Sequence, residues 1–296
     1  MNLCDYQEIR PLLERNGFRF SKSMGQNFLT ADWVPERIAD AAELNEGCGV
    51  LEIGPGIGCL TDQLGRRAGK VAAIELDKRL LPPLREIFKE RENIRIISGD
   101  ALKMDLPALV REEFSGLTPK ACANLPYQIT TDLLTALVDA GCFETITVMV
   151  QREFAKRICA APGTPDYSAF SVYANFHTVP ELLFDVPPDC FVPRPKVTSS
   201  VIRLRKRTEK AVPPEREKMF FAVVRASFAQ RRKTLANGLS AAFSDRLPKP
   251  EIAAILDRSG IGTGTRGETL GIPQFAALAA ALEVAILEKQ TGNGEA

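Results

Sequence analysis

Short apolar runs at 49–53, 70–74, 94–97, 120–123 and 145–150 punctuate the first half of the chain and read as buried strands. Before and between them, residues 6–16, 33–42, 80–90 and 131–140 carry apolar side chains at helical spacing. Strands alternating with helices in this way predict an open parallel sheet covered on both faces. After residue 160 the rhythm changes. A helix is expected at 168–177, a strand at 182–186, and a β-branched run at 198–204 suits an antiparallel strand at the sheet edge. Between the last two lies a proline-rich segment, 187–195, expected as a stiff extended loop because proline cannot donate to a ladder or continue a helix. From about 206 onwards strand signals vanish, and helical patterns follow at 215–229, 231–243, 250–258 and 273–288. The expected division is an α/β domain over 1–205 and a small all-helical domain over 206–296, with the last six or so residues frayed.

Composition narrows this picture little. At 296 residues, 45% hydrophobic and 25% charged, the chain is an ordinary globular protein. Its longest apolar stretch, 276–287, is interrupted by Glu283 and reads as a buried helix, so no membrane span is expected. The first residues lack a basic region followed by an apolar core, so a secretory signal is not expected either. Seven cysteines, at 4, 48, 59, 122, 142, 159 and 190, show no Cys-x-x-Cys spacing, and His177 is the one histidine. That excludes a zinc site read from spacing, and no metal is expected. Scattered cysteines in apolar surroundings point to reduced, buried thiols and a cytoplasmic protein, and His177 reads as a structural residue. Charge is more telling in its distribution. Residues 1–205 hold 24 basic and 27 acidic side chains (net −3), whereas 206–296 hold 14 and 10 (net +4). Basic clusters at Arg194 and Lys196, at 203–207, and at Arg231, Arg232 and Lys233 suit a phosphate-rich partner, though each also resembles a solvated face.

Chemistry concentrates at strand ends. In Gly54-Pro55-Gly56-Ile57-Gly58-Cys59 the third glycine comes one position too early for a dinucleotide fingerprint, and no Walker lysine follows. The turn therefore points away from a phosphate cradle and towards a small ligand across the sheet edge, which disfavours a nicotinamide-dependent oxidoreductase. Glu75 closes the second strand, where an acid can accept from both hydroxyls of a ribose, and Asp100 closes the third, where it can accept from an adenine amino group. Asn124-Leu125-Pro126-Tyr127 follows another strand. Asn accepts from an amine, the residue before Pro is held extended, and Tyr offers a stacking face.

With these residues the chain resembles the ribosomal RNA adenine dimethyltransferase family, over nearly its whole length. The likeness rests on 25–29, 51–61, Glu75, Gly99-Asp100, Asn124 to Tyr127, and Phe191-Val192-Pro193-Arg194-Pro195-Lys196-Val197. It implies a Rossmann-like, mostly parallel seven-stranded methyltransferase sheet and S-adenosyl-L-methionine as cofactor. By the same resemblance Asn27 and Leu29 would close over the cofactor's methionine end and Gly54 would line it, Gly56 would also bind the cofactor, and Glu75 would hold its ribose and Asp100 its adenine. Asn124 would lie between cofactor and target amine, touching both. The Leu125 carbonyl would also accept from that amine, Pro126 belongs to the same catalytic turn, and Tyr127 and Phe191 would sandwich a flipped adenine. Segments 228–235, 237–239 and 266–270 resemble the subgroup that dimethylates two adjacent adenosines in a hairpin near the 3′ end of 16S rRNA. The expected partner is then 16S rRNA or an immature small ribosomal subunit, met by a monomer. Arg194, Lys196, Arg231, Arg232 and Lys233 are the expected phosphate binders. A large-subunit methylase conferring macrolide resistance and a non-catalytic assembly factor are the alternatives. Asn175 with His177 departs from the family pattern, where more glutamine-like or aromatic polarity is expected.

Overall fold

A computed structural model describes residues 1–18, 27–230 and 233–292. The arm expected at 19–26, Arg231 and Arg232, and the terminal 293–296 lie outside the described residues.

Chain order begins with α1 (Tyr6–Arg15), β1 (Phe28–Leu29), α2 (Trp33–Ala41), β2 (Cys48–Ile53), α3 (Cys59–Gly65), β3 (Lys70–Glu75), α4 (Leu81–Ile87) and β4 (Ile94–Ser98). It continues through α5 (Leu106–Glu113), β5 (Thr118–Asn124), α6 (Thr130–Asp139), β6 (Thr145–Gln151), α7 (Arg152–Ile158), α8 (Ala169–His177) and β7 (Thr178–Val186). The remainder is β8 (Phe191–Val192), β9 (Ser199–Lys206), α9 (Pro214–Phe228), α10 (Leu235–Ala242), α11 (Lys249–Arg258) and α12 (Ile272–Gly292).

Seven strands form one sheet in the order β4-β3-β2-β5-β6-β9-β7. Strands β2 to β6 pair in parallel, and β9 runs antiparallel to β6 from Thr145↔Arg205 to Gln151↔Ser199. The central strand β2 is buried at every position, as a parallel strand covered on both faces must be. Edge strand β4 is half-buried to exposed instead.

Three of the expectations for these elements change. The antiparallel strand expected at the sheet edge, β9, lies between β6 and β7, and β7 takes the edge. The proline-rich segment is not loop throughout: its proline-free residues Phe191 and Val192 keep their N–H groups and pair antiparallel with Leu29 and Phe28. The helix expected to start at 231 starts at Leu235, after Thr234 in extended conformation, so Lys233 lies in the turn before it. Helices α5 and α7 add to the expected set. The start of α5 is set by Asp105, whose side chain accepts from Ala108 N, with a proline in the first turn.

The chain divides into two units. One comprises Met1–Ala155 and Pro180–Lys206, the other Lys156–Val179 and Arg207–Ala296. The division at 206 is accompanied by a second, because residues 156–179 pack with the helical tail. Ring contacts carry that packing: Phe176 lies 4.7 Å from Phe220, and Tyr167 stands edge-on to Phe228 at 5.8 Å, its hydroxyl donating to Leu270 O. Within the first unit, Phe28, Leu29, Val50, Leu84 and Phe191 belong to one buried cluster. None of the seven cysteines is in a disulfide; five are buried and Cys142 and Cys159 are half-buried, so the expected burial holds for five thiols and not for these two. His177 lies against Phe221 with the rings 9° from parallel. No described helix is long and apolar enough to cross a membrane.

Candidate active site

From β2 the chain winds through β3 to β4 on one side, then crosses to β5 and β6 on the other. Open α/β sheets bind ligands beyond the carboxyl ends of strands at such a reversal. A cavity of about 260 Å³ lies there, walled by residues 27–29, 52–57, Glu75, Leu76, Gly99, Asp100, Ala101 and 124–129 among others.

The glycine turn shapes its floor. Gly54 adopts φ +71°, and a Cβ there would meet nothing within 4 Å, so the position is governed by its backbone angle and by space for a ligand. Gly58 adopts φ +93°, and a Cβ would come within 2.8 Å of the Phe88 ring. The first glycine leaves room for approach, while the third packs the turn onto the helices behind it.

Carboxylates converge on the cavity from successive strands. Glu75, 5% exposed, accepts from Asp77 N (2.7 Å) through one oxygen and from Gly56 N (3.3 Å) through the other. Burial pushes its carboxyl up to about 7, against the pull of those backbone N–H groups. Each oxygen retains a lone pair, which suits a pair of vicinal hydroxyls. Asp100 follows β4, accepts from Leu102 N (3.1 Å), and sits 3.4 Å from Lys103 Nζ, half exposed. Glu52 carries no such strand-end signal in the sequence. It is 1% exposed, lines the cavity, and its Oε2 has no hydrogen-bond partner among the described residues. Burial raises its carboxyl to about 8, with Thr61 pulling the other way and Glu75 adding to the rise. The signal available in the sequence was an acid inside an otherwise apolar, fully buried strand.

The fourth wall is Asn124 to Tyr127. Asn124 Nδ2 donates one of its two N–H groups to Asn27 O at 3.5 Å, and the amide oxygen remains an acceptor. Leu125 is buried, and its N–H is tied to Met149 O (3.1 Å) on the neighbouring strand. Pro126 O accepts from Thr130 Oγ1 (2.9 Å), closing the turn. Tyr127 is half-buried, and its hydroxyl lies 2.6 Å from Ser199 Oγ.

Thus Asn27, Leu29, Gly54, Gly56, Glu75, Asp100 and Asn124 to Tyr127 meet at one cavity. Phe191 does not join them. It is 2% exposed, paired with Leu29 and packed in the core beneath, so the described cavity wall offers the ring of Tyr127 without that of Phe191. Arg194 and Lys196 are exposed, with no ion pair among the described residues, and Lys233 is exposed.

The donor set fits a ribonucleoside bearing a cationic tail. Paired acceptors face hydroxyls at Glu75, a further acid at Asp100 suits an amine, and the orphaned buried oxygen of Glu52 calls for a cation or donor.

Comparison with known proteins follows the same line. Residues 17–278 match the family model described as ribosomal RNA adenine dimethylase. A ribosomal RNA small subunit methyltransferase A from Geobacillus sp. (strain WCH70) is 46% identical over 281 residues, 93% of this chain and 95% of that protein. Its counterpart from Streptococcus pneumoniae serotype 2 is 41% identical, covering 96% of this chain and 99% of the relative. Among solved structures, the 23S rRNA methyltransferase ErmE shares 30% identity at a TM-score of 0.68, covering 87% of this chain and 100% of that one. A dimethyladenosine transferase from Plasmodium falciparum superposes at a TM-score of 0.75 over 87% of this chain and 98% of the other, and at 23% identity this likeness speaks for the fold.

Proposed function

The chain belongs to the ribosomal RNA adenine dimethylase family, and on that premise we propose that it dimethylates the N6 amines of two adjacent adenosines in the hairpin near the 3′ end of 16S rRNA. Its methyl donor is S-adenosyl-L-methionine. The observation that carries this reading is the meeting of Glu75, Asp100 and Asn124 to Tyr127 in one cavity at the sheet's reversal point. Preference for the small subunit rests on relatives of that name at 41–46% identity over more than nine-tenths of the chain.

When bound, the cofactor supplies an electrophilic methyl group on a sulfonium. The residues then have to hold an amine in line with it. An adenine amino group is a poor nucleophile because its lone pair is drawn into the ring. Accepting its hydrogens at the Asn124 amide oxygen and at the Leu125 carbonyl favours a more pyramidal nitrogen and frees that lone pair. Tyr127 stacks on the extruded base, a contact worth about 1–3 kcal/mol. Nothing here demands a strong base, and the proton lost on methylation passes to solvent. Glu75 and Asp100 hold the ribose and adenine of the cofactor, and Asn27, Leu29, Gly54 and Gly56 hold its methionine end.

Arg194, Lys196 and Lys233, with Arg231 and Arg232 outside the described residues, grip phosphates, and the basic helical tail adds to the grip on the ribosome. The protein works in the cytoplasm as a monomer on an immature small subunit. The test is methylation of small subunits from cells lacking this modification. Two adjacent dimethyladenosines are expected, with no incorporation into large subunits. Binding of cofactor and RNA without methyl transfer would instead leave an assembly factor.

A further inference from the structure

The geometry points to Ser199 as a positioning residue that sets the plane of the Tyr127 ring for the target base. The inference rests on the reading of Tyr127 as the stacking face, and it explains why that residue carries a hydroxyl at all.

Ser199 is fully buried and does not line the cavity, yet its Oγ lies 2.6 Å from the Tyr127 hydroxyl. It opens β9 and is held there from both sides. It pairs with Gln151 at the end of β6, and the preceding carbonyl, Thr198 O, accepts from Arg152 N at 3.0 Å. The next residue, Ser200, donates to Asp185 at 2.6 Å, and Asp185 in turn lies 3.4 Å from Arg152. Tyr127 is equally constrained at its backbone. It begins a short 3-10 turn whose entry carbonyl, Pro126 O, accepts from both Ile129 N (3.3 Å) and Thr130 Oγ1 (2.9 Å).

A tyrosine fixed at both its backbone and its phenolic oxygen has little freedom left about its side-chain torsions. Its ring then presents one face at one tilt, before any base arrives. A phenylalanine there would stack as strongly but would have to be ordered on binding, and that ordering subtracts from affinity. The same anchor closes the segment that carries Arg194 and Lys196, so the base platform and those exposed cations are held by one strand start.

The experiment compares Ser199→Ala, Tyr127→Phe and the double variant. Methylation of immature small subunits gives kcat/KM, calorimetry gives cofactor affinity, and thermal unfolding reports folding. A hairpin RNA with 2-aminopurine at the target position reports stacking by fluorescence quenching. Each single variant is expected to lower kcat/KM for RNA about tenfold, the scale of one lost hydrogen bond. The double variant should be no worse than either single, since the two changes break one link. Cofactor affinity stays unchanged, quenching weakens in both singles, and Ser199→Thr restores most of the rate. Additive losses, or native kcat/KM and quenching in Ser199→Ala, overturn the assignment. If Ser199→Ala does not fold, native rate and quenching in Tyr127→Phe overturn it on their own. Should Tyr127→Ala leave rate and quenching untouched, it is the base-pocket reading that fails, and the two failures are told apart.

Discussion

Glu52 and Glu75 share a cavity wall and are both pushed above the ordinary carboxyl value of 4.5, to about 8 and about 7. For an acid whose folded pKa is raised, the folded state holds a proton that the unfolded chain has released. Stability is therefore intact below about pH 4.5 and falls as pH rises through about 7 to 8. Glu52→Gln removes that residue's share of the dependence, because the amide cannot ionise, and leaves the share of Glu75. Melting temperature followed across that range should decline for the natural protein and decline less steeply for the variant, in which Glu75 still titrates; parallel curves would contradict the burial argument. Asn124 makes a second prediction at this scale. Asn124→Ala removes the acceptor for the target amine and should lower kcat on the order of a hundredfold or more, the range seen when one transition-state hydrogen-bonding group is lost. Single-turnover methylation measures it, while cofactor binding should change far less. Both carboxylates at the ends of β3 and β4 were legible in the sequence, because a strand end followed by an acid is a local pattern. Glu52 was not, since its meaning depends on a cavity that only the assembled sheet creates. Phe191 is a similar case: its motif is visible in the sequence, but its pairing with Leu29 is a long-range fact.

At the scale of elements, the strands β2 to β6 were legible to within two residues, because buried parallel strands are short apolar runs with clear ends. Helices α5 and α7 were harder to see, being eight and seven residues long, too short to display a helical period. The glycine turn between β2 and α3 separates two kinds of constraint. Gly58→Ala brings both a left-handed backbone and a collision with Phe88, so a loss of a few kcal/mol is expected, roughly the sum of strain and overpacking. Gly54→Ala meets no neighbour and should cost only about 1–2 kcal/mol of backbone strain, yet it places a methyl group at the cavity floor. Denaturant unfolding together with cofactor calorimetry checks the pair. Stability should be the property lost at 58 and cofactor affinity the one lost at 54.

For the whole molecule, the charge asymmetry and the exposed cations predict how binding responds to salt. Replacing Arg194 and Lys196 by Ala should weaken RNA binding and make its log–log salt dependence shallower by roughly 1.5, if each neutralises one phosphate. Affinities measured over a range of salt decide it, and an unchanged slope would remove both residues from the interface. The two-part organisation was legible from the disappearance of strand signals near 206, but the membership of 156–179 was not. Linear order puts α8 next to β7, whereas Phe176 within it and Tyr167 just before it are matched by Phe220, Phe228 and Leu270, roughly forty to a hundred positions downstream. That interleaving has an evolutionary corollary. A tail grafted from a relative at residue 206 would arrive without the segment its core was built around, and would leave Val172 and Phe176 behind with no matching surface. Functional chimaeras in this family therefore need two segments swapped together, and natural recombination at a single breakpoint near 206 should be selected against.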